Sequence, residues 1–474
     1  MAAAPLLPSA TSLPAQAEEP RTAAKAIPLP ITRTLAEWVV ASRPADIPAA
    51  VRKEAVRSIV NVIGATVGGS SDPTIATALR AITPYSGPAR AALFGRSERL
   101  DGINAAVVNG ISSHVLDFDD TELSMVIHPA GVVAFALLGL AADHPITGAD
   151  FLHAFILGTE VESRIGRAIY PTHYDVGFHI TATTGVFGAA AACGKILGLD
   201  TQKMVYALGT AAVQSAGLQV AFGSMGKAFQ VGRAAGNGLF AARLAEQGFT
   251  SSDASLEGFN GYFTATTRQR NDTAAIANLG QYYEISQNTY KPFPCGIVIH
   301  PVLDAAIQLY KENHIPAEQI ASVTIKGNPL ILQLTGKKTP QTGLEGKFSV
   351  FHSTAIALIR GHVGLAEYST PAVLDPAVVA LRSRVEVLPD AAIPSDQVFV
   401  TLKTRDGRTF DKHIEHAIGS VERPMTNADL DEKFRGLADG ILTKPQASKL
   451  LAMCWSVESL PDVATLATAG ARSA

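Results

Sequence analysis

The sequence predicts a mainly α fold: a large all-helical domain followed by a smaller α+β domain. Three observations carry this expectation. From residue 32 to about 275, apolar residues recur at helical spacing and no strand-like alternation of any length interrupts them. Small residues recur on these faces, as in "TATTGVFGAAAACGKILGLD", and let helices approach closely. Near 290 the character changes, and "ASVTIKG" and "SDQVFVTLKTRDGRTFDKHI" alternate at period two. The chain therefore divides into an Ala/Pro-rich tail (1–31), an all-α domain (32–280), an α+β domain (281–415) and a helical segment (416–474) that returns to the first domain.

Residues 1–30 lack either periodicity, which marks a tail. "LPAQA" before Glu18 has the A-x-A form of a signal-peptide cleavage site, but no charged start precedes it, and Pro5 and Pro8 break the apolar part. The expected location is cytoplasmic; the alternative is export, with 1–17 the remnant of a truncated leader. "TRTLAEWVVASRPADIPAAVRKEAVRSIVNVIGATVGG" reads as two helices, Thr34 capping the first and Gly68–Gly69 ending the second. "AGVVAFALLGLAA" (130–142) stops at Asp143, short of the ~20 residues a membrane span needs, so it reads as a buried helix. Helices follow over "TGADFLHAFILGTEVESRIGRAI", capped from Thr147, over "TQKMVYALGTAAVQSAGL" and over "KAFQVGRAAGNGLFAARLAEQGF". In the second half Asp406–Gly407 suits a hairpin turn. Helices are expected at "HPVLDAAIQLYKENH" and "KFSVFHSTAIALIRGHVG", and again from Asn427 to about Leu451.

With 47% hydrophobic and 17% charged residues, disorder is excluded for most of the chain. A net charge of −3 gives no electrostatic case for nucleic acid or for an anionic membrane surface. Cys193, Cys295 and Cys454 show no CxxC-type spacing, and their scarcity fits a reducing compartment.

Four segments hold the chemistry. In "HVLDFDDTELSMVIHPAG" a helical reading puts His114, Asp117 and Thr121 on one face and turns Asp119 and Asp120 elsewhere, with His128 at a turn before the next helix. The plainer alternative is capping chemistry plus one satisfied histidine. In "THYDVGFHITATTGVFG", His173 and His179 bracket a glycine, and Thr181 to Thr184 are candidate caps for the helix beyond, whose N-terminus would attract an anion. In "GSMGKAFQVGRAAGNG", Lys227 heads a helix and is either a solvated first-turn lysine or a carboxylate clamp. No nucleotide-binding motif is matched there. In "YKPFPCGIVIHP" two prolines stiffen the connection holding Lys291 at a domain boundary; Cys295 has no visible base and reads as structural. Together a carboxylate, histidines, a threonine and two lysines, without metal-cluster spacing, suit proton transfer on a small polycarboxylate.

These four segments, in this order, resemble the MmgE/PrpD family, which includes 2-methylcitrate dehydratase, cis-aconitate decarboxylase and iminodisuccinate epimerase; the resemblance spans roughly 32 to 455. It implies a smaller domain acting as a lid, an active site in the cleft beneath it, a homodimer, and chemistry with no metal or organic cofactor. Carried over by position, the catalytic residues are His128, His179 and Asp117, with Thr121, Lys227 and Lys291 binding substrate; His173 joins the binding set from the residue reading. In the implied roles, the lysines hold substrate carboxylates, Thr121 hydrogen-bonds one, His128 and His179 move the proton, and Asp117 orients a histidine. The chain departs from the decarboxylases in one extra residue between Thr121 and His128 and in Gly296, where they carry a histidine. The leading expectation is a cofactor-independent lyase, a dehydratase or decarboxylase, on a di- or tricarboxylate such as 2-methylcitrate or cis-aconitate. The alternative is a dicarboxylate epimerase, and a third reading is a catalytically silent carboxylate-binding protein.

Overall fold

The computed structural model describes residues 29–472. The leader reading for 1–17, and nearly all of the predicted tail, lie outside the described residues. The first helix, Ile31–Ala41, begins behind Pro30, so Thr34 sits inside it and is not its cap. The second, Ala49–Gly69, ends at the predicted glycines. The helix Pro129–Leu140 is buried at all twelve positions, as a helix apolar all round must be. Around it stand Gly102–His114, Gly148–Ile169, Ile180–Ile196 and Met225–Glu246. Thr147 caps the second of these, accepting from the Asp150 amide. No helix among the described residues is long and apolar enough to cross a membrane.

Small residues set the helix spacing. A Cβ on Gly232 would lie 2.2 Å from the Val107 carbonyl oxygen, and one on Gly110 would lie 2.8 Å from the Gly232 Cα. The two helices therefore cross backbone against backbone. Alanine is favoured over glycine in a helix by about 1 kcal/mol, but here the obstructing atoms are main chain and cannot rotate aside. Gly232→Ala is therefore expected to destabilise the protein by about 3 kcal/mol net, read as a lowered denaturant midpoint with an unchanged slope.

A second hydrophobic core, centred on Val302, Val323, Ile356 and Val400, belongs to the α+β region. Its four-stranded sheet runs in the order Val385–Pro389, Ile320–Gly327, Val398–Thr404, Thr409–Ile414; the first pair is parallel and the others antiparallel. The hairpin turns at Asp406–Gly407 as expected, with Gly407 at φ +89°. Helices His300–Asn313 and Val350–Arg360 pack together and against this sheet. Asn427–Ala438 and Lys444–Trp455 then return to the first core, where Phe434 packs against Gly64.

The helical half also contains three short strands that periodicity did not predict. Ala91–Ala92 pairs with Arg99–Leu100. Asp120–Glu122 pairs antiparallel with Asn288–Tyr290, Thr121 opposite Thr289. This last pairing matters most, because it brings the aspartate-rich stretch beside the segment that ends in Lys291.

Candidate active site

The helix Gly102–His114 stops earlier than expected. Asp117 follows with φ +53°, a left-handed conformation that aspartate tolerates better than most residues. The chain then runs into the strand at Asp120. The expected helical face of His114, Asp117 and Thr121 therefore does not exist; a turn and a strand place these residues instead.

At the apex of this turn Asp117 is buried. Its Oδ1 accepts from Lys227 Nζ at 2.5 Å and from Lys291 Nζ at 2.9 Å, while Oδ2 has no partner. Burial alone would raise the Asp117 pKa, but the two ammonium charges hold it well below the usual carboxylate range. Burial lowers the Lys227 pKa, opposed by Asp117. Two cations on one anion leave a net positive charge, a setting for a substrate carboxylate. Lys227 also stands 5.5 Å from the Phe222 ring centroid and 5.4 Å from that of Phe348.

Asp117 does not orient a histidine, as the sequence led us to expect; Asp119 does. His114 Nδ1 lies 2.6 Å from Asp119 Oδ2, and His128 Nδ1 lies 3.6 Å from Asp119 Oδ1. Burial opposes ionisation of Asp119, but the adjacent His114 and His128 rings and the His114 hydrogen bond keep its pKa far below normal. His128 Nδ1 is 2.7 Å from the Asp120 carbonyl oxygen, which can only accept, so Nδ1 carries the hydrogen and Nε2 keeps its lone pair. His179 repeats the pattern. Its Nδ1 donates to Gln230 Oε1 at 3.0 Å, and that amide is oriented by its own donation to the Leu218 carbonyl. Its Nε2 is buried and unpartnered. Burial depresses both imidazoles, His128 to about 3 and His179 well below its usual value. Both rings are therefore neutral bases.

Asp117, His128, His179, Lys227 and Lys291 line one cavity, joined by Phe348 and Gly296 from the second half of the chain. Thr121 stands behind it, its hydroxyl 3.1 Å from His128 Nδ1, so it touches the base and not the cavity. His173 is not brought in. Its Nδ1 bonds the Thr266 carbonyl at 2.9 Å, its Nε2 bonds Thr183 Oγ1 at 2.8 Å, and its ring stacks on Phe178, so it has no free edge for a substrate. His179 takes the N-cap position of its helix, and Thr181 to Thr184 lie inside that helix and are not caps. Burial holds the Cys295 thiol at about 12, in line with a structural role.

Asp120 is a separate device. Its Oδ2 accepts from Ser58 at 2.9 Å and from Asn288 at 2.6 Å, and burial, then Asp119, raises its pKa from 3.8 to about 7. The bound proton stabilises the fold fully below about pH 4, and that contribution is lost as pH rises toward 7. Asp120→Asn keeps one acceptor for the same two donors. It should gain on the order of 3 kcal/mol over wild type between pH 5 and pH 8. Denaturant midpoints at the two pH values check this; parallel curves for the two proteins would refute it.

The spacing of ligand types suggested no metal cluster, yet folding brings His114, Asp119 and His128 within 4.8 Å of one another. Here both Nδ1 atoms are engaged, with Asp119 and with the Asp120 carbonyl, and an ion at these three atoms would displace those hydrogen bonds. Asp396, His416 and Glu422 form a second, more exposed grouping, held by a 2.8 Å contact between His416 and Asp396.

The chain is similar along most of its length to known proteins. The chain is 28% identical to the cis-aconitate decarboxylase of Homo sapiens, covering 92% of this chain and 94% of that protein. It is 26% identical to the cis-aconitate decarboxylase-like protein oryM of Aspergillus oryzae (92% and 96%) and to the cis-aconitate decarboxylase of Aspergillus terreus (92% and 95%). Residues 33–274 match the MmgE/PrpD N-terminal domain and residues 293–458 the MmgE/PrpD C-terminal domain. With both domains matched in order, the chain belongs to the MmgE/PrpD family.

Proposed function

We propose that this protein is a lyase that removes carbon dioxide or water from a small di- or tricarboxylate, with cis-aconitate the first substrate to test. The carrying observation is a single cavity that joins two neutral imidazoles, each with Nδ1 hydrogen-bonded to a fixed acceptor, to two lysines sharing one carboxylate. The full-length likeness to cis-aconitate decarboxylases supports the same reading.

The lysines supply the cationic contact for one substrate carboxylate. A second carboxylate near His128 changes its titration. An anion favours the protonated ring, so the substrate's own charge raises a pKa that burial had depressed. On cis-aconitate, the carboxylate on the methylene arm leaves as carbon dioxide and its electron pair shifts through the double bond. The carbon next to a remaining carboxylate takes a proton from the imidazolium, and a terminal methylene results. Dehydration uses the same ring first as the base that removes a proton beside a carboxylate; the imidazolium so formed returns that proton to the departing hydroxyl, which leaves as water as the C–O bond breaks and the double bond forms. Every proton and counter-charge in this scheme comes from side chains.

A second reading, dicarboxylate epimerisation, is favoured by the presence of two bases on one cavity, His128 and His179. Proton NMR of the purified protein with citrate, 2-methylcitrate, cis-aconitate and aspartate-derived acids in deuterated buffer separates the two. New vinyl signals or loss of a carboxyl group establish a lyase, whereas deuterium at one carbon of an intact skeleton establishes the epimerase. Silence with every acid would overturn both. The reading includes a lid role for the α+β domain and a homodimer, to which exposed Val213, Val220 and Phe229 would contribute apolar contact; light scattering checks the dimer.

A further inference from the structure

Two further lysines, buried Lys347 and half-buried Lys433, remain unused by this chemistry, and both act on the turn that carries it. Lys347 Nζ donates to the Leu116 carbonyl. Lys433 Nζ donates to the Phe118 carbonyl at 2.7 Å, the Lys291 carbonyl at 2.8 Å and Asn61 Oδ1 at 2.7 Å. An ammonium has three donors, and Lys433 uses all three on neutral oxygens while standing 4.0 Å from the Phe118 ring centroid. With Lys227 and Lys291 on Asp117, four lysines from four segments converge on residues 116 to 118.

We propose that Lys347 and Lys433 are positioning residues: backbone clamps that hold the 116–118 turn, and through it Asp117 and Asp119, in register with His128 and Lys291. Among the described residues neither meets a carboxylate, so neither is explained as an ion pair. Taking a charge from water without one is costly, and burial lowers Lys347 to about 8 and Lys433 to about 7. A methionine of similar length would cover the same apolar surface at no such cost. What a lysine adds is direction. Lys347 approaches from the second half of the chain, beside the helix Val350–Arg360, and Lys433 from the returning helix Asn427–Ala438. Between them they grip the residues on either side of Asp117, whose left-handed backbone stores strain that a loose turn would release. Lys433 also ties this turn to the main chain of Lys291, setting the distance between the anion and one of its two cations.

The role rests on the proposed carboxylate chemistry, but its test has an arm that does not. The buried 2.6 Å His114–Asp119 hydrogen bond should give a far-downfield proton resonance, assigned by its loss in Asp119→Asn. In Lys347→Met and Lys433→Met that resonance should shift or broaden by exchange, although neither lysine touches His114 or Asp119. Because Lys227 and Lys291 keep their charges, kcat with the identified acid should fall at least about tenfold while KM moves by less than about threefold. Lys433→Gln, which keeps two donors, should fall between and covers the case in which the methionine variant does not fold. A lowered Tm with an unchanged resonance and unchanged kcat would overturn the proposal. If wild type turns over no acid, the functional reading fails, and the resonance still decides whether the clamps hold the turn.

Discussion

His128→Ala is expected to lower turnover about 10³-fold while leaving the protein folded. General acid–base groups contribute 10² to 10⁴ in rate, and His128 combines the attributes required of one. It lines the cavity, its Nδ1 proton is directed to the Asp120 carbonyl, and Asp119 stands 3.6 Å away to stabilise the imidazolium. The substituted side chain removes one buried ring from a helix start, a local loss of roughly 1–3 kcal/mol, too little to unfold a chain of this size. Added imidazole should restore part of the rate, because the vacated space opens on the substrate cavity. Near-normal turnover by His128→Ala would transfer the proton-carrying role to His179.

Asp117→Asn is expected to lower stability by about 3–5 kcal/mol, the usual effect of removing one partner from a buried ion pair. Asparagine tolerates the same left-handed backbone, so strain is not the cause. The cause is Lys227 and Lys291, both buried and now without their shared anion. A polycarboxylate ligand supplies a replacement charge. Its stabilising effect on Tm should therefore be larger in Asp117→Asn than in wild type. An equal or smaller shift would mean that the lysines do not form the carboxylate contact.

Much of this arrangement was legible in the sequence. Period and small-residue patterning predicted the helical half, and the alternation around Asp406–Gly407 predicted the hairpin. The strand Val385–Pro389 was missed because parallel pairing within a larger sheet leaves little local signature. Within the site, the structure places His128, His179, Lys227, Lys291 and Asp117 around one cavity. Asp119 was missed because a helical wheel was carried past His114, where the helix has already ended. His173 looked chemical only because it lies near His179 in sequence; folding satisfies both its nitrogens internally. Lys347 and Lys433 left no signal at all. They act on carbonyl oxygens 231 and 315 residues away, and contacts from side chain to backbone impose no pattern on the partner's residue type.

The most direct test of the account is a side-by-side proton NMR time course of cis-aconitate with wild type and with His128→Ala in deuterated buffer. Wild type should show carbon dioxide loss, a pair of new methylene vinyl signals and one deuterium in the product, and the variant a trace near background. Wild type inert toward cis-aconitate and the other acids, or a variant that matches it, would contradict the claim that this cavity moves a proton on a carboxylate through His128.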